Sequence, residues 1–200
     1  MGEAVELPEP RRNSGVSVES ALARRRSTRD FSAEPVPLAS LSQLLWAAQG
    51  ITAPDGLRTA PSAGALYPLE IYLVIGVAKG LRSGVYHYDP RRHRLLPHVN
   101  GDVRSALAKA ALEQEWVAEA PALLILAAVH RRTARKYGRR APRYVYMEVG
   151  HAAQNIYLQA VALDLGTVMV GAFRNRELER VLRLPADVEA VGVMPVGKPR

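Results

Sequence analysis

The sequence predicts a single α+β domain, with helices and strands packed in layers around one core. Predicted helices and strands follow one another without the strict alternation that a doubly wound parallel sheet requires. Two short segments, residues 85–88 and 95–99, flank the turn sequence Asp89-Pro-Arg-Arg and predict a β-hairpin, which belongs to an antiparallel sheet. Apolar residues make up 48% of the 200 positions, enough for a core that needs no disulfide.

Helix caps and apolar runs place the elements of the first half of the chain. A short helix with a serine at its N-cap is predicted over residues 17–25. A second helix is predicted over residues 40–49, where Ser40 and Gln43 can form a capping box. The apolar, β-branched run at residues 71–75 predicts a buried strand ahead of the hairpin.

Longer periodic segments organise the second half of the chain. Residues 131–143 are basic and show no clear periodicity, so an irregular connection is expected there. The other predicted elements are helices at residues 103–112, 144–165 and 175–183, and strands at residues 122–129, 167–170 and 188–196.

Residues 1–15 are polar and rich in proline, and we expect a flexible leader before one domain formed by residues 16–200.

Composition excludes several classes of site. Because the chain has no cysteine, disulfides, thiolate metal sites and cysteine nucleophiles are excluded. The first residues lack the apolar run of a signal peptide, and the longest apolar run, residues 120–129, is too short to span a membrane. We therefore expect a cytoplasmic protein without a membrane partner. A net charge of +8 would attract nucleic acid, anionic lipid or phosphorylated ligands, although a basic background can also serve solubility alone.

Positive charge is concentrated in two segments. The first, from Arg24 to Arg29, holds four arginines and a serine, which suit a phosphate because guanidinium groups donate in a fork that matches phosphate oxygens. A solvated helix end is the alternative interpretation. The second, residues 196–200, follows a predicted strand and completes most of a P-loop sequence. Pro199 stands where a P-loop needs a hydroxyl for magnesium, so a P-loop is excluded, and a frayed tail is the alternative to a phosphate contact.

The two basic segments together resemble the nitroreductase superfamily. Arg25-Arg-Ser-Thr-Arg29 resembles the family's opening Arg-x-Ser-x-Arg/Lys motif, and the terminal Gly-Lys-Pro-Arg200 is similar to its closing Gly-Lys-x-Arg motif. In that family both segments converge on the phosphate of FMN. The resemblance therefore implies a phosphate site made of Arg25, Arg26, Ser27, Arg29, Lys198 and Arg200.

Residues 60–70 resemble one branch of that superfamily more closely. They contain Gly64-Ala-Leu-Tyr-Pro68, which the SagB-type azoline dehydrogenase branch carries along the flavin ring, whereas classical nitroreductases have Asn and Gln at Ala65 and Tyr67. Without the family, the segment is typical of a proline-bounded surface turn. The resemblance places at the flavin Pro61, Ser62, Ala63, Gly64 and Tyr67, together with Val170, Gly171 and Ala172 from a strand end whose backbone N–H faces the flavin N5.

A lysine–tyrosine pair is the candidate for proton transfer. Lys136-Tyr137 followed by glycine resembles the proposed proton-handling site of the same branch. Lysine can lose its proton when it is desolvated, whereas arginine cannot, and the chain uses only four lysines against twenty-three arginines. An exposed basic loop is the alternative.

The long predicted helix repeats the branch pattern over residues 143–155. Glu148, His151 and Asn155 lie on one polar stripe of this otherwise apolar helix. A Glu-x-x-His pair can form half of a di-iron site, but the chain has no second such pair, so we predict no metal site. We expect a buried hydrogen-bond network instead.

The resemblance also implies an architecture and a reaction. The architecture is a mostly antiparallel central sheet flanked by helices, in an intertwined homodimer with FMN at the interface. The reaction is a two-electron dehydrogenation of a small or peptide-borne heterocycle, with hydride passing to FMN. The alternative on the same scaffold is NAD(P)H-dependent reduction of nitro compounds or quinones. A basic nucleic-acid-binding protein is a third interpretation, which the scarcity of aromatic residues and the lack of a known binding module disfavour.

Overall fold

One antiparallel sheet of seven strands forms the centre of the computed structural model, which describes residues 2–200. The strands are β1 (Val5–Glu6), β2 (Leu69–Ile75), β3 (Gly84–Asp89), β4 (Arg94–Asn100), β5 (Ala122–Ala128), β6 (Gly166–Thr167) and β7 (Glu189–Gly197). Their order across the sheet is β1-β4-β3-β2-β5-β7-β6, and each neighbouring pair is antiparallel. The predicted hairpin is confirmed as β3 and β4.

Helices flank this sheet, so the predicted α+β class is confirmed. In the described part of the chain none of them is long and apolar enough to cross a membrane. The α-helices are α1 (Val18–Arg24), α2 (Leu38–Gln49), α3 (Arg104–Ala110), α4 (Glu115–Glu119), α5 (His130–Tyr137), α6 (Ala141–Ala162) and α7 (Asn175–Leu182), and short 3-10 turns lie at Ala63–Ala65 and Gly138–Arg140.

The sheet separates two apolar layers. β5 is buried at all of its positions because helices cover both faces of the sheet. Successive side chains of a strand point to opposite faces, so Ile71 and Leu124 pack in the layer that includes residues of α2 and α6. Tyr72 and Leu123 pack in the other layer, with residues of α3, α4 and α7. The sheet is thus a rigid support for the segments that leave its ends.

The basic stretch predicted to be irregular, residues 131–143, is helical, and that prediction is wrong. α5 occupies most of it, and α6 begins at Ala141 after a 3-10 turn. Arginine and lysine have high helix propensity, and α5 turns most of its charged side chains outward while Thr133 is buried. Pro142 lies in the first turn of α6, where its missing N–H has no intrahelical partner to lose.

The N-terminal segment packs on the domain, in contrast to the flexible leader predicted for residues 1–15. β1 pairs with β4, and Leu7 is buried. The side chain of Gln43 accepts a hydrogen bond from the N–H of Arg11 at 2.8 Å and donates one to the Arg11 carbonyl at 2.9 Å. The capping box predicted for Gln43 and Ser40 is therefore wrong, because Gln43 anchors the N-terminal segment instead.

The strand predicted at residues 167–170 is shorter than expected. β6 contains only Gly166 and Thr167, and Val170 makes an isolated bridge to Val193 of β7. The remaining predicted helices and strands are present, with ends that differ by a few residues.

Candidate active site

The two basic segments of the chain meet at one corner of the sheet. The N–H of Thr28 donates to the carbonyl of Thr167 in β6 at 2.9 Å, and Phe31 forms a bridge with Pro199. The N–H of Ser32 donates to the carbonyl of Lys198 at 2.8 Å. We call residues 25–32 and 198–200 the basic corner.

Aromatic rings support two of the arginines in the basic corner. The guanidinium carbon of Arg25 lies 5.2 Å from the centre of the Tyr157 ring, and that of Arg29 lies 5.7 Å from the centre of the Trp116 ring. The hydroxyl of Tyr157 is also 3.4 Å from that of Ser27. The aromatic faces therefore hold cationic groups beside Ser27 without neutralising them.

The charges of the basic corner are only partly paired. Lys198 and Arg200 make surface ion pairs with Glu34 at 3.2 Å and with Asp30 at 3.5 Å. Such exposed pairs are weak, worth about 0–1 kcal/mol, so an anion can replace the carboxylates. Within residues 2–200, no carboxylate lies within 4.0 Å of the other three arginines, which are Arg25, Arg26 and Arg29.

A second group of predicted residues, residues 61–67, forms a tight turn before β2, which we call the ring segment. The N–H of Tyr67 donates to the hydroxyl of Ser62 at 2.9 Å, which closes the turn. Gly64 has a φ of 64°, a conformation that glycine adopts without penalty. Ala65 and Tyr67 also have positive φ values, of 53° and 45°. These two conformations are costly for residues with a side chain, so other contacts must hold the turn.

Glu148 of α6 supplies that anchor. Its Oε1 accepts hydrogen bonds from the hydroxyl of Ser62 at 2.9 Å and from the N–H of Ala63 at 3.0 Å. The carboxyl is buried, and this burial raises its pKa although the two hydrogen bonds act in the opposite direction. Glu148 of α6 therefore fixes the start of the ring segment through two hydrogen bonds.

The rest of the polar stripe of α6 divides between two environments. The side-chain amide of Asn155 donates to the carbonyls of Ala47 at 3.1 Å and Thr59 at 3.2 Å, as expected for a buried network. His151 is exposed instead. In the described residues no three His, Asp or Glu side chains come close enough together to hold a metal ion.

The proton-transfer candidates Lys136 and Tyr137 lie against the ring segment. A Cβ atom added at Gly64 would be 3.0 Å from Nζ of Lys136 and 3.1 Å from the hydroxyl of Tyr137. Both functional groups therefore face the one position of the ring segment that has no side chain. Sequence separation did not indicate this contact, since about seventy residues lie between the two segments.

The third predicted group lies at the end of a short strand segment. Val170 exchanges two backbone hydrogen bonds with Val193, of 2.8 and 3.0 Å. Gly171 is exposed, with open space where a side chain would stand. Ala172 is also exposed, and its carbonyl accepts a hydrogen bond from Gln114 at 3.0 Å.

α6 connects the basic corner to the ring segment. Glu148 contacts the ring segment and Tyr157 contacts the basic corner. The two residues are nine positions apart, a rise of about 14 Å along a helix. The phosphate-binding and ring-binding groups predicted from sequence are therefore separate clusters held by one rigid element.

A charged cavity, which was not predicted from the sequence, lies beside the ring segment. This cavity of about 420 Å³ is bordered by Tyr67, Glu70 and His87 and by arginines 58, 91 and 132. Arg132 binds Glu70 and donates to the carbonyl of Tyr67 at 3.0 Å. A glutamate inside the apolar run of β2 was the available signal, because charged residues are rare in buried strands.

Comparison with known proteins extends these observations. The Nitroreductase family matches residues 22–198. A protein of Methanocaldococcus jannaschii whose name assigns it to the nitroreductases is 45% identical over 198 residues, which cover 99% of this chain and 98% of the relative. A crystal structure from Ralstonia eutropha JMP134, also named for the nitroreductases, has 32% identity and a TM-score of 0.87, covering 98% of this chain and 90% of that one.

More distant structures share the fold. A chain of the E. coli microcin synthetase McbBCD complex is 22% identical to this protein, with a TM-score of 0.79. The match covers 100% of this chain and 79% of the McbBCD chain. The NADPH:FMN oxidoreductase of Vibrio harveyi, complexed with NAD+, is 21% identical, with a TM-score of 0.66. The match covers 91% of this chain and 68% of the Vibrio harveyi chain. The family match and the two nearer relatives span nearly the whole domain, and the chain belongs to the nitroreductase family of oxidoreductases.

Proposed function

We propose that this protein is an FMN-dependent oxidoreductase of the SagB type, which transfers hydride between a small or peptide-borne heterocyclic substrate and the flavin. The single observation that carries the proposal is the position of Lys136 and Tyr137, whose polar atoms lie against Gly64 in the ring segment. Support for the branch comes from the sequence Gly64-Ala-Leu-Tyr-Pro68 and from the fold that the protein shares with the microcin synthetase chain. That chain belongs to a complex in which truncated pro-MccB17 is bound.

The basic corner fits the phosphate of FMN. Its three arginines without carboxylate partners offer forked donors, and the hydroxyl of Ser27 lies among them. Lys198 and Arg200 can exchange their exposed ion pairs for the phosphate. The name of the Vibrio harveyi structure, an NADPH:FMN oxidoreductase, supports the choice of FMN for this fold.

The ring segment and the end of the Val170 segment fit the flat part of the cofactor. Pro61, Ser62, Ala63 and Gly64 present short side chains and main chain, and Tyr67 closes the turn. At the end of the Val170 segment, the exposed Gly171 and Ala172 offer backbone N–H groups, whereas the N–H of Val170 is already donated to Val193. When bound, FMN supplies the two-electron chemistry that amino-acid side chains lack.

Lys136 and Tyr137 handle the proton in this proposal. A dehydrogenation removes two hydrogens from the substrate, one of them as a proton from carbon, and FMN, if bound, would supply the two-electron chemistry that takes up the other as hydride. Nζ of Lys136, an exposed residue, and the hydroxyl of Tyr137 both face Gly64, and this position beside the ring segment is why the proposal gives them that proton. Glu148 keeps the ring segment in place through its hydrogen bonds to Ser62 and Ala63.

We also propose that two copies pair through α6, so that each flavin lies between two chains. The side chains of Tyr146 and Met147 are 51% and 46% exposed on this helix, and Gly150 on the next turn leaves room for a close approach. Large apolar side chains grouped on one helix face are typical of a surface that a partner covers.

The alternative is an NAD(P)H-dependent reductase of nitro compounds or quinones on the same scaffold. The names of the Methanocaldococcus and Ralstonia relatives favour this direction of electron flow. The bound NAD+ in the Vibrio harveyi structure favours a nicotinamide donor in the same way.

Flavin reduction separates the two functions. Purified protein is expected to be yellow, and denaturation is expected to release FMN. NADH or NADPH is then added without oxygen, and the flavin absorbance is followed. Slow bleaching by both nucleotides supports the dehydrogenase, whereas rapid bleaching supports the reductase. A colourless protein that takes up no FMN contradicts both.

The proton-transfer role is tested by Lys136→Ala combined with Tyr137→Phe. We expect turnover to fall by about 100-fold or more, the usual share of general acid–base catalysis, with FMN affinity unchanged. Lys109→Ala, which removes an exposed lysine of α3, is the matched control. Full turnover by the double variant with normal FMN content would show that these residues do not carry the proton.

A further inference from the structure

The charged cavity beside Tyr67 has a surplus of positive charge. Both of its carboxylates already have cationic partners. Glu70 binds Arg132 and lies 2.6 Å from Nε2 of His87, and these partners hold the pKa of Glu70 below its usual value although burial opposes them. Asp89 accepts a hydrogen bond from Arg94 at 3.2 Å. The remaining arginines of the cavity are therefore not neutralised by its own acidic residues.

Arg58 is the most conspicuous of these cations. Its Nη1 donates to the neutral side chain of Gln49 at 2.7 Å, and its guanidinium carbon lies 4.4 Å from the ring centre of Tyr67. Its Nε is buried and has no hydrogen-bond partner, and no carboxylate of residues 2–200 lies within 4.0 Å of the guanidinium. Burial lowers the pKa of Arg58 from its usual value. The charge of Glu70 opposes this lowering of the pKa, but Arg58 is half-buried with no carboxylate in direct contact, and a ligand that supplies one would offset the cost of desolvation.

The cavity also has the shape of a small-molecule site next to the proposed active site. Leu69, Ile71 and Tyr88 also line it and contribute apolar surface beside the charged groups. Arg132 lies one helical turn before Lys136 on α5, and the Arg58 guanidinium covers Tyr67 of the ring segment. A molecule with an apolar body and an anionic end therefore matches the lining of this cavity.

We infer that this cavity binds the anionic group of the substrate, a carboxylate or a phosphate, with Arg58 as its principal partner. Arg91, which is exposed and also borders the cavity, adds a second positive charge. The assignment of the anion to the substrate rests on the proposed function. The anion site itself does not, since it depends only on the charges and contacts of the cavity.

The test is calorimetric titration of the purified protein with benzoate, phenyl phosphate and the neutral analogue benzamide. We expect the two anions to bind and benzamide to bind at least tenfold more weakly. Arg58→Gln should weaken the binding of both anions by about 10-fold to 100-fold, the equivalent of one lost charge-assisted bond, and should leave benzamide unchanged. Arg176→Gln, at an exposed position of α7, is the matched control and should behave as wild type.

The outcomes separate this inference from the proposed function. Equal affinities for benzoate and benzamide in the wild-type protein overturn the anion site, even if Arg58→Gln proves unstable. Unchanged anion affinity in a folded Arg58→Gln protein also overturns it. Tighter binding of phenyl phosphate than of benzoate assigns the site to a phosphate, and the reverse assigns it to a carboxylate. A colourless protein that still binds anions through Arg58 contradicts the proposed flavin chemistry and leaves the anion site standing.

Discussion

At the scale of single residues, Glu148 decides the conformation of the ring segment. It is a buried acid on an otherwise apolar face of α6, and its two hydrogen bonds reach across 86 and 85 positions of sequence. These bonds hold a turn in which Ala65 and Tyr67 adopt left-handed conformations. A substitution at Glu148 should therefore alter the conformation of the ring segment more than the packing of the core.

Glu148→Ala and Glu148→Gln should differ sharply. Alanine leaves the N–H of Ala63 and the hydroxyl of Ser62 without their acceptor, so the free energy of unfolding should fall by about 1–3 kcal/mol. Glutamine keeps a carbonyl acceptor at the same place and should stay within about 1 kcal/mol of wild type. Denaturant unfolding at pH 7 measures both values, and equal losses in the two variants would refute the anchoring role.

The pH dependence of stability gives a second test of Glu148. Its pKa is raised in the folded protein, so its contribution is complete below the ordinary pKa of glutamate and is lost as the pH rises through the raised value. Glu148→Gln does not titrate. The variant should thus gain stability relative to wild type as the pH rises from the ordinary pKa of glutamate, about 4.3, into the neutral range. A constant difference across that range would mean that the carboxyl is not destabilised by burial.

The surroundings of a residue could be predicted where helix periodicity indicated them, but not where they depend on a contact with a distant segment. The polar stripe of α6 indicated that Glu148 is buried in a network, but periodicity within a helix cannot name a partner in another element. Arg58 gave no sequence signal, because an arginine in a turn-rich segment is usually solvated. Its importance follows only from its position over Tyr67.

At the scale of elements, β6 sets the position of the basic corner. It is only two residues long, yet it pairs with β7 on one side and receives the Ser27 segment on the other. A Cβ atom at Gly166 would come within 2.7 Å of the side chain of Thr28. The absence of a side chain at this position therefore allows residues 27 and 28 to lie against the sheet.

Gly166→Ala should displace the basic corner. Crowding against the stiff, β-branched Thr28 should cost about 1–3 kcal/mol of stability, and FMN affinity should fall because Ser27 moves with its neighbour. Gly15→Ala is the control, since no atom lies within 4 Å of an added Cβ there. Fluorescence titration with FMN and thermal unfolding measure the two effects. Wild-type FMN affinity in Gly166→Ala would separate β6 from cofactor binding.

Elements with long apolar runs were predictable, and short or polar ones were not. β2, β5 and β7 follow from apolar segments alone, because strands buried on both faces need them. β1 and α4 have two and five residues, too few for a periodic pattern, and exist through their tertiary contacts. The arginine-rich sequence of α5 concealed a helix whose charges point mostly outward.

At the scale of the whole molecule, the exposed face of α6 controls assembly in our proposal. This face includes the exposed side chains of Tyr146 and Met147 and the open space at Gly150. Met147→Glu should weaken a dimer by about 3 kcal/mol, or about 100-fold in dissociation constant, because it buries an unpaired charge. Analytical ultracentrifugation measures this change, and the FMN content should fall with it.

The control for this variant is Val77→Glu, a change at another exposed apolar residue that lies outside α6. It should leave both the sedimentation and the FMN content unchanged. A Met147→Glu protein that sediments as wild type and keeps its flavin would show that α6 is not the interface.

The class of the fold could be predicted from the sequence, but the order of the strands could not. Strand order depends on which distant segments pair, and apolar runs of similar composition do not specify their neighbours. β7 shows this clearly, since it pairs with β5 and with β6 across long stretches of sequence.

The place of β7 has a consequence for synthesis of the protein. β7 is the last strand along the chain, yet it lies inside the sheet between β5 and β6. While a ribosome is still making residues 129–188, β5 already has all of its apolar residues and lacks its partner on one side. An unpaired apolar strand edge is prone to aggregation, so a pause in translation over residues 129–188 should lower the yield of folded protein.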